Sequence, residues 1–217
     1  MKKSFFAILI VICLLTLPQG AFAQDSTSKF GIGAEISFNK IFDYNVDNEI
    51  DQERSFDGTA MPGVNLTYFF NQYFSTELTV AYAKTDMELE SKGVSMKEGE
   101  LEQTPLMLTF RAHMPTETIL SPYIGAGLTY YFNEFDMSDT LIRKSPARTS
   151  ITPDDGLGYH VNLGMEIFAT DNLAFDLDAK YTWYEEEFEV SSPGRVGYDE
   201  KIELDSFSVG VGMKYYF

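Results

Sequence analysis

The chain has 217 residues, of which 44% are hydrophobic, 15% aromatic and 23% charged. This composition excludes a disordered polar chain and a low-complexity polymer, and the length is typical of one globular unit. Acidic residues outnumber basic residues 33 to 16, which gives a formal net charge of −17. A nucleic-acid partner is disfavoured, because binding phosphates requires an excess of Lys and Arg.

Residues 1–23 have the features of a cleaved signal peptide. Lys2 and Lys3 precede an apolar run at 5–17, and the small-x-small sequence Ala-Phe-Ala at 21–23 provides a cleavage site. The alternative is a retained membrane anchor, but the run is shorter than the roughly 20 residues that span a bilayer as a helix. We therefore expect export through the secretory pathway.

The only cysteine, Cys13, lies inside that apolar run. The expected mature chain, residues 24–217, then has no thiol, so we expect no disulfide, cysteine-ligated metal or cysteine nucleophile. We also expect no cofactor.

Beyond the signal peptide, segments of about ten residues carry apolar side chains at every second position, which is the period of a β-strand. In the first segment Phe30, Ile32 and Ile36 share one face, while Glu35 and Ser37 share the other. Eight such segments are predicted, near residues 30–38, 63–70, 74–84, 104–113, 122–132, 159–167, 173–183 and 207–217.

The connections between these strands alternate in length. Short ones at 71–73, 115–120 and 170–172 alternate with four of about twenty residues, which contain most of the acidic side chains: 39–58, 88–102, 133–155 and 185–201. Outer-membrane barrels have this arrangement, with short turns in the periplasm and long loops outside. We predict an all-β protein, an eight-stranded antiparallel up-and-down transmembrane β-barrel over residues 24–217, with four long acidic external loops.

A soluble barrel of the lipocalin kind is the main alternative, because it has a similar size and alternation. Its apolar face would point inward and its polar face outward. In this chain the polar face is rich in small residues that suit a narrow interior. The opposite face carries bulky aromatics near the strand ends, which favours a membrane barrel with aromatic girdles. Two girdles are predicted, one of Tyr68, Phe70, Phe74, Tyr215 and Phe217 on the turn side and one of Tyr82, Tyr130, Phe132, Tyr181 and Trp183 on the loop side.

Three segments resemble those of small bacterial outer-membrane barrels. The last strand, with Val209, Val211, Met213, Tyr215 and Phe217 alternating, resembles the C-terminal strand that the barrel-assembly machinery recognises. Ser-Pro-Tyr-Ile-Gly-Ala-Gly-Leu-Thr-Tyr at 121–130 resembles the fifth-strand motif of the OmpW family, and residues 66–78 resemble its second hairpin. These motifs are shared with OmpA-like and OmpX-like barrels.

The resemblance implies an eight-stranded barrel in the cell outer membrane, in contact with lipid and lipopolysaccharide. It also implies a minor porin, because OmpW-like proteins are linked to the passage of small apolar molecules. The barrel-assembly machinery and a small apolar solute are therefore the expected partners.

Eight charged side chains fall on the predicted inner face. The interior of an eight-stranded barrel is only just wide enough for side chains or one small ligand, so these charges must pair with one another. They form either a plug that closes the barrel toward the periplasm or a gate whose ion pairs open for a solute. The charged residues are Glu35, Glu77, Arg111, Glu166, Asp176, Asp178, Lys180 and Lys214.

The loop-side half of the lumen carries small and polar side chains instead, including Tyr131, His160, Asn162 and Thr182. We expect a cup that opens to the outside and holds a small amphipathic ligand.

Acidic clusters in the loops could attract Ca²⁺ or Mg²⁺, but no spacing matches a calcium-binding loop, so no metal site is predicted. These clusters are Asp47, Glu49, Asp51 and Glu53, and Glu185, Glu186, Glu187 and Glu189.

The two histidines, His113 and His160, are the candidate catalytic bases. We expect no base and nucleophile to fall together, so an enzyme is not predicted. Three functions remain open, in this order: a minor porin or uptake barrel with an outward cup, a structural or adhesion barrel acting through its acidic loops, and a lipid-modifying enzyme.

Overall fold

The structure is a computed structural model, and it describes residues 30–42, 44–47, 52–91, 94–114, 116–137, 150–191 and 198–217. The predicted signal peptide, Cys13, Glu49 and Asp51 lie outside the described residues. The part of the chain that the structure describes contains no helix long and apolar enough to cross a membrane.

The described residues form fourteen β-strands. The strands are β1 (Phe30–Ile41), β2 (Tyr44–Asp47), β3 (Gln52–Phe56), β4 (Thr59–Asn71), β5 (Phe74–Ala81), β6 (Ala83–Ser91), β7 (Val94–His113), β8 (Leu120–Met137), β9 (Ser150–Pro153), β10 (Gly156–Phe168), β11 (Leu173–Trp183), β12 (Glu185–Ser191), β13 (Tyr198–Glu203) and β14 (Ser206–Tyr216).

Eight of these strands close into a barrel in which every pairing is antiparallel. The order around the wall is β1, β4, β5, β7, β8, β10, β11 and β14, and β14 pairs with β1 to close the circle. The closing pair runs in register from Gly31 opposite Tyr216 to Ile41 opposite Ser206. The prediction of an eight-stranded antiparallel β-barrel is confirmed.

The two faces of the wall differ in polarity as expected for a membrane barrel. Bulky apolar side chains point outward, and Ile124 and Leu163 are 68% and 64% exposed. Inward positions carry buried polar groups such as Thr67 and Ser75. A lipocalin-like barrel has the opposite polarity, so that alternative is excluded.

Outward aromatic rings form a band near each end of the wall. At the turn end, the Phe30 and Tyr68 rings lie 4.7 Å apart, and the Phe74 and Phe110 rings 5.6 Å apart. At the opposite end, the Trp183 ring lies 4.6 Å from the ring of Tyr181. These bands correspond to the aromatic girdles that anchor a barrel at the two membrane interfaces.

The short turns contain local hydrogen bonds that explain their positions in the sequence. The side-chain oxygen of Asn71 accepts from the backbone N–H groups of Tyr73 and Phe74, at 2.8 and 3.0 Å. Thr170 Oγ1 accepts from the N–H of Leu173 at 3.0 Å. Side-chain oxygens that bond to backbone N–H groups two or three residues later stabilise such turns.

The long connections differ from the prediction, because over most of their described residues they are strands rather than loops. β6 and β7 extend beyond the barrel as a hairpin, β2 and β3 form a second, and β9, β12 and β13 form a separate three-stranded sheet. The period-2 pattern was present in β6, where Thr85 and Met87 alternate with Asp86 and Glu88. The alternation was missed because the face with Asp86 and Glu88 is charged, which makes the segment resemble a solvated loop.

Candidate functional site

The strand register places like charges directly opposite each other inside the barrel. Glu166 of β10 pairs in register with Asp176 of β11, and both side chains point inward. Like charges at directly opposed positions repel, so this arrangement requires a cation. Lys214 of β14 supplies it, with Nζ 3.1 Å from Glu166 Oε1 and 3.1 Å from Asp176 Oδ2.

Five charged side chains meet in what we call the ion cluster: Glu77, Arg111, Glu166, Asp176 and Lys214. Lys214 Nζ also lies 2.7 Å from Glu77 Oε2, and Arg111 pairs with the other carboxylate oxygen of Glu77. Each of the five is at most 3% exposed. Because a buried charge is costly unless it is paired, this network is the arrangement that lets these groups occupy the lumen.

Two tyrosines complete the ion cluster by donating hydrogen bonds to its carboxylates. The Tyr216 hydroxyl donates to Glu166 Oε1 at 2.7 Å. The Tyr123 hydroxyl lies 3.0 Å from both Asp176 Oδ1 and Asp178 Oδ2. The Arg111 guanidinium carbon lies 4.4 Å above the centre of the Tyr123 ring, which adds a cation–π contact. The charge pattern of the sequence did not indicate these two tyrosines.

The remaining predicted lumen charges lie beside the ion cluster. Asn65 donates to Glu35 at 2.8 Å, and Asn162 donates to Asp178 Oδ2 at 2.6 Å. Lys180 Nζ lies 3.8 Å from Asp178 Oδ1 and 3.4 Å from the sulfur of Met107. All eight predicted lumen charges therefore face the interior, five of them in one network.

His160 is held between two threonine hydroxyls. Its Nε2 lies 2.9 Å from Thr109 Oγ1, and its Nδ1 lies 2.8 Å from Thr129 Oγ1. A neutral imidazole has one donor and one acceptor nitrogen, and a hydroxyl can serve either, so both nitrogens are satisfied. His160 and Asn162 therefore belong to the packed middle of the lumen.

The outer end of the lumen is filled, which differs from the predicted open cup. A group of side chains that we call the outer apolar cluster is buried there, and Leu101 is fully buried. Its members come from the barrel and from the hairpin extensions, so the prediction of long acidic external loops did not indicate it. They are Ile41, Phe56, Met87, Leu101, Tyr184 and Leu204, with Tyr131 and Phe135 packed against them.

One small cavity remains beneath the outer apolar cluster. It has about 20 Å³ open to the centre of a water molecule, and Tyr131, Thr182 and Lys180 are among the residues that line it. A second cavity of about 10 Å³ lies nearer the ion cluster and is also lined by Lys180. Since one water needs roughly 10–15 Å³ on this measure, the two together hold about two waters. Neither is an aqueous channel.

A base and a hydroxyl do fall together, contrary to the expectation from the sequence. Ser75 Oγ lies 2.8 Å from His113 Nε2, and Ser121 Oγ lies 3.3 Å from His113 Nδ1. The expectation was wrong because Ser75 and His113 lie 38 positions apart and meet only through the β5–β7 pairing. Ser75 is fully buried, so substrate has no access to this hydroxyl in the structure.

Acidic side chains on the outer surface pair with Lys84. Lys84 lies beyond the outer aromatic band, and its Nζ is 2.6 Å from Glu100 and 3.1 Å from Glu102. Hydrogen bonds to these two carboxylates raise the pKa of the Lys84 ammonium above its usual value. Among the described residues, no three His, Cys, Asp or Glu side chains are arranged to hold a metal ion.

The residues predicted as an assembly signal all point outward, four of them on β14 and Phe217 directly after it. Val209, Val211, Met213 and Tyr215 are each about half exposed, and Phe217 is 64% exposed. The Phe217 N–H donates to the carbonyl of Phe30 at 2.8 Å, so the chain end is hydrogen-bonded to β1.

Comparison with known proteins accords with this architecture. A family described as outer membrane protein beta-barrel domain matches residues 9–215. The chain belongs to this family. The resemblance to small bacterial outer-membrane barrels that the sequence predicted is thereby confirmed.

Relatives of this outer-membrane barrel share its fold at low sequence identity. An uncharacterized outer-membrane protein of Sinorhizobium fredii, y4mB, is 21% identical over 165 residues, which cover 75% of this chain and 68% of the relative. OprG from Pseudomonas aeruginosa superposes with a TM-score of 0.76 at 18% identity, covering 88% of this chain and 96% of OprG. Outer Membrane Protein W of E. coli superposes with a TM-score of 0.55 at 15% identity, covering 89% of this chain and all of that chain.

Proposed function

We propose that this outer-membrane barrel is a minor porin that captures small amphipathic solutes at the outer end of its lumen, without a standing aqueous pore. The observation that carries the proposal is the outer apolar cluster, which faces the lumen rather than the lipid. A ligand site is usually a concave, mostly apolar space with a few polar groups. The cavity below the cluster supplies those polar groups, among them Thr182 and Gln103.

The ion cluster supports the absence of a standing pore. It places five paired charges across the turn-side half of a lumen that is only just wide enough for side chains. Passage to the periplasm along the barrel axis requires these ion pairs to separate. We propose that the cluster acts as a plug at rest. If its ion pairs separate to let a solute through, the same cluster acts as a gate.

A structural or adhesion barrel is the second candidate, and the filled lumen favours it. Under this proposal the hairpin extensions, with acidic surfaces such as Glu100 and Glu102 around Lys84, contact a partner outside the cell. Catalysis is not part of either proposal, because the Ser75–His113 pair is buried and has no carboxylate on the second histidine nitrogen.

Export and assembly belong to the same proposal. We propose secretion through the predicted signal peptide, recognition of the outward residues of β14 by the barrel-assembly machinery, and contact of the apolar wall with lipid and lipopolysaccharide. The support is the two aromatic bands and the outward position of every second residue, namely Val209, Val211, Met213, Tyr215 and Phe217.

Methionine methyl groups provide the test of solute capture. Met61 and Met107 are buried inside the barrel and Met87 in the outer apolar cluster, whereas Met114 and Met213 are exposed on the outer wall. The mature chain is refolded into lipid nanodiscs with ¹³C-methyl methionine and titrated with 1-decanol. We expect saturable shifts of the three inner methyls, because the solute displaces or contacts the side chains around them.

The outward methyls are the control for decanol dissolved in the lipid. Their chemical shifts should change in proportion to the concentration of decanol in the lipid, without saturation. Inner methyls that stay unchanged while the outward methyls respond would refute solute capture and support the structural or adhesion candidate.

A further inference from the structure

Lys180 is a buried cation with few hydrogen-bond acceptors. It is 6% exposed, and an ammonium group has three donors. Within the described residues its partners are the Met107 sulfur at 3.4 Å and Asp178 Oδ1 at 3.8 Å. A thioether is a weak acceptor, and 3.8 Å exceeds hydrogen-bond distance. Lys214, by comparison, has three carboxylates within 3.1 Å.

The nearest carboxylates are already engaged by other donors. Asp178 Oδ2 accepts from Asn162 at 2.6 Å and from Tyr123 at 3.0 Å. Glu35 Oε2 accepts from Asn65 at 2.8 Å. These hydrogen bonds hold both carboxylates in place and leave the Lys180 ammonium with unfilled donor positions.

The cavity beneath the outer apolar cluster brings Lys180 and apolar side chains to one space. Lys180, Asn39, Ser206 and Ser208 line its polar part. Ile41, Tyr131, Tyr184 and Leu204 of the outer apolar cluster also line the cavity, together with apolar residues of the barrel interior such as Met61 and Met107. The space is therefore amphipathic, because an ammonium and hydroxyl donors lie among apolar groups.

We propose that Lys180 binds the carboxylate of an amphipathic solute whose apolar chain lies in the outer apolar cluster. The inference rests on the proposed capture function and names its substrate class as medium-chain carboxylic acids in their anionic form. A carboxylate fits because a hydrogen bond between two charged groups is about twice as strong as one between neutral groups. The nearby serine hydroxyls can donate to its second oxygen.

The present cavity holds only about one or two waters, so binding requires side chains of the outer apolar cluster to move. These side chains come from the barrel wall and from the hairpin extensions, which meet at the end of the barrel. The acidic outer surface repels anions only over about 8 Å at physiological ionic strength. This repulsion slows association and leaves the contact at Lys180 intact.

The test compares three ten-carbon probes in the methyl titration: decanoate, 1-decanol and decyltrimethylammonium. Each probe is titrated into wild type, Lys180→Met and the control Lys84→Met, and free concentrations are corrected for partition into the lipid. We expect Lys180→Met to weaken decanoate binding about tenfold or more, while decanol binding changes about twofold or less. Lys84→Met should bind decanoate and decanol with the same affinity as wild type, because Lys84 lies on the outer surface.

Wild type alone provides a measurement that does not depend on how the variant folds. Decanoate should bind about tenfold or more tightly than decyltrimethylammonium, and Lys180→Arg should keep that preference. Equal binding of the anion and the cation, or unchanged decanoate binding in folded Lys180→Met, would overturn the inference and leave capture standing. If no probe shifts the inner methyls of wild type, the capture proposal itself fails.

Discussion

At the scale of single residues, the lumen contains two lysines in contrasting environments. Lys214 is surrounded by three carboxylates of the ion cluster, whereas Lys180 faces a cavity with a sulfur atom and one distant carboxylate. The first arrangement satisfies a buried charge and stabilises the fold. The second leaves donors for a ligand. The structure therefore separates a stabilising cation from a candidate binding cation on neighbouring strands.

Removing one partner of the ion cluster should destabilise the barrel strongly. Arg111→Met leaves the buried Glu77 and Glu166 with Lys214 as their remaining cation in the cluster. Breaking a buried pair in this way costs about 3–5 kcal/mol. Urea unfolding in lipid vesicles, followed by the fluorescence of Trp183, the single tryptophan of the chain, measures the free energy of unfolding.

Lys84→Met is the matched control, because it removes an exposed ion pair on the outer surface and should leave the unfolding midpoint unchanged. A free energy of unfolding for Arg111→Met equal to that of wild type would show that the ion cluster does not stabilise the barrel.

At the scale of strands, neighbouring elements fit together through pairs of large and small residues. Gly31 of β1 lies directly opposite Tyr216 of β14, and the Tyr216 ring covers Gly31 so closely that a Cβ at that position would overlap it. The same ring presents its hydroxyl to Glu166. The glycine therefore allows the closing strands to position a member of the hydrogen-bond network.

Gly31→Ala should reduce stability by about 1–3 kcal/mol, because the added methyl group forces the Tyr216 ring away and disturbs its hydrogen bond to Glu166. In a Tyr216→Ala background the same substitution should cost almost nothing, since the three atoms nearest to the added methyl group all belong to that ring. A double-mutant cycle of unfolding free energies measures the coupling. Additive effects of the two substitutions would contradict this account.

The strands also show what sequence patterns can and cannot predict. Alternation predicted the wall and its inward charges, because the outward face must be apolar in lipid along every strand. It did not predict that Ser75 meets His113 or that Tyr123 reaches Asp176, because such contacts depend on the register of strands distant in sequence. The outer hairpins were missed because their charged faces resemble solvated loops.

At the scale of the whole molecule, the barrel is closed at two levels. The ion cluster fills the turn-side half of the lumen, and the outer apolar cluster covers the other end. The two cavities between them have volumes of about 20 and 10 Å³, enough for isolated waters rather than a continuous column. In the described part of the chain these volumes do not form a continuous water path, so the proposed capture requires a solute to exchange with side chains of the outer apolar cluster.

Planar-bilayer conductance of the refolded mature chain tests this closure most directly, with folding confirmed by the different gel mobility of boiled and unboiled samples. We expect the folded wild-type barrel to add no steady ionic current above the bilayer baseline. Stable open steps from folded wild type would contradict it, because they require a continuous water path through both clusters.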